Sequence, residues 1–248
     1  MATALVRYLP MTFKLHPLWK AEKLFRPTKT SSLKPNTSVM WLSHHIPKTA
    51  GSSLRISFEQ VAGRSKVFGV YAETGATEMS QGLPIWTPAN AKFIHGHFRP
   101  HRKHKEYFPN AKRIVWLRDP IERIWSLVGH LLSEGDSHPH YKILNELYIS
   151  NGVTDKEEIV FDMIKHDRAP LLTRVYARYF AKVPLEEFEF VGSVHHYSEG
   201  LSQLEKLLNL ELNEEHRNIR NSSSTMPVRL KTLKPHLAEE YDVVENHL

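Results

Sequence analysis

The sequence predicts an α/β fold: three layers, α/β/α, around a central, mostly parallel sheet. Three observations carry that expectation. Short apolar runs alternate with segments of helical periodicity past residue 38, the order expected of strands returned by crossover helices. No internal repeat interrupts the alternation. At 248 residues and 41% hydrophobic the chain is long enough for one substantial core.

The elements follow in order. Val39-Met40-Trp41-Leu42 reads as a buried strand that runs into a polar, glycine-containing turn. A helix opens next, with Leu54, Phe58, Val61 and Ala62 on one face. Lys66–Tyr71 and Lys92–Ile94 are further strands, separated by a segment, Thr74–Asn90, whose Gly75, Gly82, Pro84 and Pro88 mark an irregular loop. Arg113–Leu117 is the strongest strand. Asp119 is placed to cap the following helix, with Pro120 at its first position. Helical patterns recur over Lys156–Lys165, Pro170–Phe180 and Leu201–Leu208, with a strand at Phe188–Val191 and a last helix from Pro235 towards His247.

Composition narrows the function. The chain has no cysteine, which excludes disulfides, thiolate nucleophiles and cysteine-ligated metals and fits a reducing, cytoplasmic setting. No apolar run approaches the ~20 residues of a membrane span. The formal net charge of +6 points to an anionic partner. Part of the excess lies in residues 1–38, which hold seven Lys and Arg against Glu22 alone; they read as a basic, partly disordered lead-in to a single domain over 39–248. Nucleic acid is not the expected partner, because no basic strand interleaved with aromatics and no recognised module is present.

Two strand-to-helix turns concentrate the chemistry. In the first, His45-Ile46-Pro47-Lys48-Thr49-Ala50-Gly51-Ser52-Ser53 supplies small residues, hydroxyls and a lysine where a helix begins. The first backbone N–H groups of such a helix converge on one point and favour an anion. The triphosphate loop of kinases does not fit, since Lys48 precedes Gly51 and no glycine opens the turn. In the second, Leu117-Arg118-Asp119-Pro120 leads into an apolar helix on which Arg123, Ser126 and His130 are expected to form one polar stripe. Such groups take either internal ion pairs or a bound anion reached by Arg118 and Ser126.

Together the two turns resemble those of sulfotransferases that use 3′-phosphoadenosine 5′-phosphosulfate, in the branch of the carbohydrate and heparan sulfate 2-O-sulfotransferase-like enzymes. The first looks like their 5′-phosphosulfate loop. The second, with its eight-residue step from Arg118 to Ser126, looks like their 3′-phosphate motif. The resemblance implies a fold related to nucleotide kinases and a nucleotide-binding transferase that works without a metal; in contrast to the glycan-modifying members, the lack of an apolar span and of cysteine favours a soluble enzyme. It implies that Lys48 contacts the bridging oxygen, that Thr49, Ala50, Gly51, Ser52 and Ser53 hold the 5′-phosphate, and that Arg118 and Ser126 hold the 3′-phosphate. The acceptor would be a hydroxyl of a carbohydrate or small molecule. A non-catalytic module that binds the same nucleotide is the alternative.

A third segment, Phe93-Ile94-His95-Gly96-His97-Phe98, places His95 and His97 on one side of a strand end. It resembles the His-Gly-His element that supplies the general base in that branch, with His97 as the base and His95 orienting it or touching the acceptor. Neutral imidazole suits the task near pH 7. A metal held by His95, His97, His101 and His104 is the rival reading, disfavoured by Arg102, Lys103 and Lys105. The pairs His44-His45, His138/His140 and His195-His196 read as surface or capping residues. The donor-rich stretch His216–Ser223 is a candidate loop over the nucleotide.

Overall fold

The computed structural model describes residues 34–212 and 225–248, so most of the basic lead-in and the stretch 216–223 lie outside the described residues. In chain order the elements are β1 (Trp41–His44), α1 (Gly51–Ala62), β2 (Val67–Val70), α2 (Ala76–Ser80), β3 (Phe93–Gly96), α3 (His104–Tyr107), β4 (Lys112–Leu117) and α4 (Pro120–Glu134). Then come α5 (Tyr141–Leu147), α6 (Lys156–Lys165), α7 (Pro170–Thr173), α8 (Tyr176–Phe180), β5 (Phe190–Ser193), α9 (Tyr197–Leu208), α10 (Val228–Lys231) and α11 (Ala238–Val244). The strands form one sheet in the order β2-β3-β1-β4-β5, and every pairing is parallel.

Alternation along the strands divides the core between the two faces of the sheet. Ile114 and Trp116 of β4 point to one face, where they pack with Phe93, with Leu54 and Phe58 of α1, and with Leu201 and Leu204 of α9. Val115 and Leu117 point to the other, against Tyr176, Tyr179 and Phe180 of α8. On that same face Leu42, Phe68 and Ile94 meet Met79 of α2 and Phe98. A further cluster joins α4, α5 and α6 to Leu230, Leu237 and Tyr241. The three-layer α/β arrangement predicted from the sequence is therefore present. Among the described residues no helix is long and apolar enough to cross a membrane.

The order of the strands creates the crevice. From β1 the chain crosses over β3 to reach β2, whereas from β4 it continues outward to β5. Connections thus diverge between neighbours β1 and β4, and parallel sheets bind ligands at the carboxyl end of such a switch. His44 is opposite Val115, so the turns after β1 and β4 open side by side.

Several expectations change. The first strand runs on through Ser43 and His44, and the third through His95, because these polar residues are buried in the middle of the sheet. The loop 74–90 contains α2, and α3 and α5 are additional helices. The helix expected over Pro170–Phe180 is two short helices. At the break the buried carboxylate of Glu240 accepts the N–H groups of Val175, Tyr176 and Ala177 at 2.9, 2.7 and 3.0 Å, capping α8 from a distant part of the chain. The C-terminal helix begins with a tight turn over Lys234–Leu237.

Candidate active site

The turn after β1 holds an unusual backbone conformation. Lys48 and Ala50 adopt positive φ, 74° and 63°. A residue with a Cβ atom pays about 1–2 kcal/mol for that conformation, and two such residues within three positions mark a locally strained turn of the kind found at functional sites. Thr49 locks it: its Oγ1 and its N–H both donate to Ile46 O, at 2.8 and 3.3 Å. Ala50 brings no side-chain cap to α1, and no acidic residue occupies its first turn. Two other helices, α4 and α6, are capped by Asp119 and Asp155. The positive end of α1 thus has neither a capping side chain nor a compensating carboxylate. Gly51 and Ser53 are buried, and Lys48, Ala50 and Ser52 are half-buried.

The second turn is clamped from behind. Asp119 Oδ1 accepts the N–H of Glu122 at 3.0 Å, and its Oδ2 accepts the hydroxyl of Tyr241 at 2.7 Å. The Tyr176 hydroxyl accepts the Arg118 N–H at 3.1 Å and donates to the Arg118 carbonyl at 2.7 Å. The Arg118 side chain, 27% exposed, reaches Glu122, with Nε 3.4 Å from Oε2. His195 Nε2 lies 3.5 Å from the same carboxylate oxygen. Ser126 is half-buried one turn further along the same face. Arg123 does not join it. Its side chain is buried, donates to Leu172 O at 2.6 Å and lies over the ring of Tyr176, so the expected stripe is reduced to Ser126 and His130, joined by Glu122.

The histidines form a connected group. His97 is exposed, at the rim of an open cleft of about 320 Å³ that Thr77, Ser80, Gln81 and Arg99 also line. Its Nε2 is 3.1 Å from Nδ1 of His45, and its ring stands edge-on to Tyr71. One side of the residue faces solvent, but packing of the ring against His45 and Tyr71 strips part of its hydration, and with smaller contributions from the charges of His138 and His140 this lowers its pKa to about 4. Burial holds His45 and His95 well below the ordinary histidine value, so both are neutral near pH 7. His95 is fully buried beneath His45, with Nδ1 2.9 Å from Ser43 Oγ; it supports the group and does not reach the cleft. Gly96 between the two is obligatory, since a Cβ atom there would lie 1.7 Å from Val70 O.

Other histidines depart from expectation. His44 and His45 are buried, not surface residues, and His44 Nδ1 is 3.0 Å from Phe98 O. Partial burial lowers the pKa of His138, with smaller contributions from the charges of His140 and Lys48. His104 is buried with Nε2 2.8 Å from Met79 O. Among the described residues no group of three or more His, Cys, Asp or Glu could hold a metal ion. Sequence reasoning passed over Glu122 and His195 beside Arg118. The signal for Glu122 was available in its position four residues after Arg118 on a helix.

Comparison with solved structures finds likenesses to known proteins. A sulfotransferase from Alicyclobacillus acidocaldarius superposes over 85% of this chain and 96% of its own, at 15% identity and a TM-score of 0.42. No protein-family model matches the chain, and no curated protein does.

Proposed function

We propose that the chain moves a sulfuryl group from 3′-phosphoadenosine 5′-phosphosulfate to a hydroxyl of a carbohydrate or small molecule. The observation that carries this reading is the meeting, at one end of the sheet, of a strained lysine turn on an uncapped helix with an imidazole at the rim of a cleft. An anion-binding turn alone would serve any phosphate. The adjacent base gives it a reaction.

The residues divide the work. The N–H groups opening α1, with Ser52 and the flanking Thr49, Ala50, Gly51 and Ser53, hold the 5′-phosphate. Arg118 and Ser126 hold the 3′-phosphate, and Arg118 exchanges Glu122 for it. His97 takes the proton of the acceptor hydroxyl as its oxygen bonds to sulfur. Lys48 neutralises the bridging oxygen, which keeps the electron pair of the breaking sulfur–oxygen bond. Such charge stabilisation is worth most where it strengthens as the leaving charge develops. The sulfuryl group carries less negative charge than a phosphoryl group, so a lysine can stand where a kinase uses magnesium. The setting we propose is cytoplasmic.

The test is calorimetric titration with 3′-phosphoadenosine 5′-phosphate, then transfer of labelled sulfate to a panel of alcohols and glycans. Binding that weakens in Arg118→Ala, with transfer that is lost in His97→Ala, supports the reading. Binding without transfer to any acceptor leaves a nucleotide-binding module. No binding at all refutes the proposal.

A further inference from the structure

His97 is tied to the loop it would serve. Beyond the 3.1 Å contact between His97 Nε2 and His45 Nδ1, the two ring centroids are 4.5 Å apart. His45 is held on three sides. Its N–H donates to Gly96 O at 2.8 Å. Its ring lies against Gly51, where a Cβ atom would come within 1.9 Å of Cδ2. His95 stacks on it, centroids 5.2 Å apart and planes inclined at 28°, and is itself fixed by Ser43. A ring so confined sets the position of whatever bonds to it.

We propose that His45 is the positioning residue for His97: its Nδ1 accepts the Nε2–H of His97, so that His97 turns the lone pair of Nδ1 towards the acceptor hydroxyl. The proposal rests on the sulfuryl-transfer reading above. One proton lies between the two nitrogens, and its owner decides the chemistry. Were His45 the donor, it would occupy the Nε2 lone pair, and His97 would carry its own proton on Nδ1 with nothing left to accept one. With His45 as acceptor, the acceptor's O–H proton passes to Nδ1 as the new oxygen–sulfur bond forms. The Nε2–H of the resulting imidazolium then makes a charge-assisted hydrogen bond, roughly twice as strong as a neutral one. Burial keeps His45 neutral and able to accept it. The carboxylate of a serine-protease triad orients its histidine in the same way. A neutral ring does so without a carboxylate that would pair with the nearby Lys48 and Arg55.

The test uses the full chain. Ring ¹⁵N spectra of histidine-labelled protein at pH 7.5, with His97→Gln to assign the signals, should show His97 protonated on Nε2 and bare on Nδ1. His45→Phe, which keeps a ring and removes the acceptor, should lower kcat about 10²-fold, the usual cost of misplacing a reacting group. Affinity for 3′-phosphoadenosine 5′-phosphate should stay within about twofold. His45→Asn, with an acceptor oxygen near the place of Nδ1, should recover most of the rate. A wild-type His97 protonated on Nδ1 overturns the proposal whatever the activity, as does equal loss in the Phe and Asn variants. Failure of the unmutated chain to bind the nucleotide overturns the functional reading instead, and the catalytic role of His45 with it.

Discussion

Lowering the pH from 7.5 to 5.5 should remove much of the stability of this fold, and the cause is its buried imidazoles. His44, His45, His95 and His104 are 2%, 7%, 0% and 1% exposed. Burial holds the first three well below the unfolded value of about 6.5 and His104 at about 4. Between the folded and unfolded values the unfolded chain binds more protons, so stability is complete above pH 6.5 and declines as pH falls. At pH 5.5 a histidine held well below that pH costs about 1.4 kcal/mol, and His97, held at about 4, acts in the same direction, so the loss reaches several kcal/mol, comparable with the whole stability of many domains. Urea unfolding followed by tryptophan fluorescence at half-unit intervals measures the slope. His104→Gln supplies the control. A glutamine amide can still donate to Met79 O, where His104 Nε2 now lies at 2.8 Å, while one titrating group is gone. The decline to pH 5.5 should shrink by about 1.4 kcal/mol, the share of one such histidine. Stability that stays level from pH 7.5 to 5.5, or an unaltered slope in His104→Gln, would refute the reasoning.

Three further outcomes are expected. Lys48→Ala should lower kcat by several hundred-fold or more while changing nucleotide affinity by less than about tenfold, because its contact gains strength as charge reaches the leaving oxygen; equal losses in both quantities, measured by transfer assay and calorimetry, contradict that role. Glu122→Gln should tighten binding of 3′-phosphoadenosine 5′-phosphate by roughly three- to tenfold, since Arg118 no longer has to leave a carboxylate 3.4 Å away; unchanged affinity separates Arg118 from the 3′-phosphate. Glu240→Ala strands three backbone N–H groups and should destabilise the fold by about 3–5 kcal/mol in chemical denaturation. A loss below about 1 kcal/mol would show that α8 forms without its distant cap.

What the sequence determined by itself is local. The apolar runs and their spacing specified strands alternating with helices, and hence a parallel sheet. Asp119 and Pro120 specified where α4 begins, and both now stand at that end with the carboxylate capping the first turn. The small residues after His45 specified a turn into a helix. These features are set by the preferences of a few consecutive residues, so a single chain carries them legibly. The tertiary structure decided the lateral contacts. Glu240 caps a helix that begins at Tyr176, and the break it stabilises left no mark on the helical periodicity of residues 170–180. Arg123 shares its helix with Ser126 yet turns inward to Leu172 O, because the packing of α4 on α7 and α8 chose which face is buried. His45 and His97 stand 52 positions apart and meet only because β3 lies beside β1. Strand order arises from the packing of the whole core, and a distance in space between two polar side chains has no counterpart in the spacing of either.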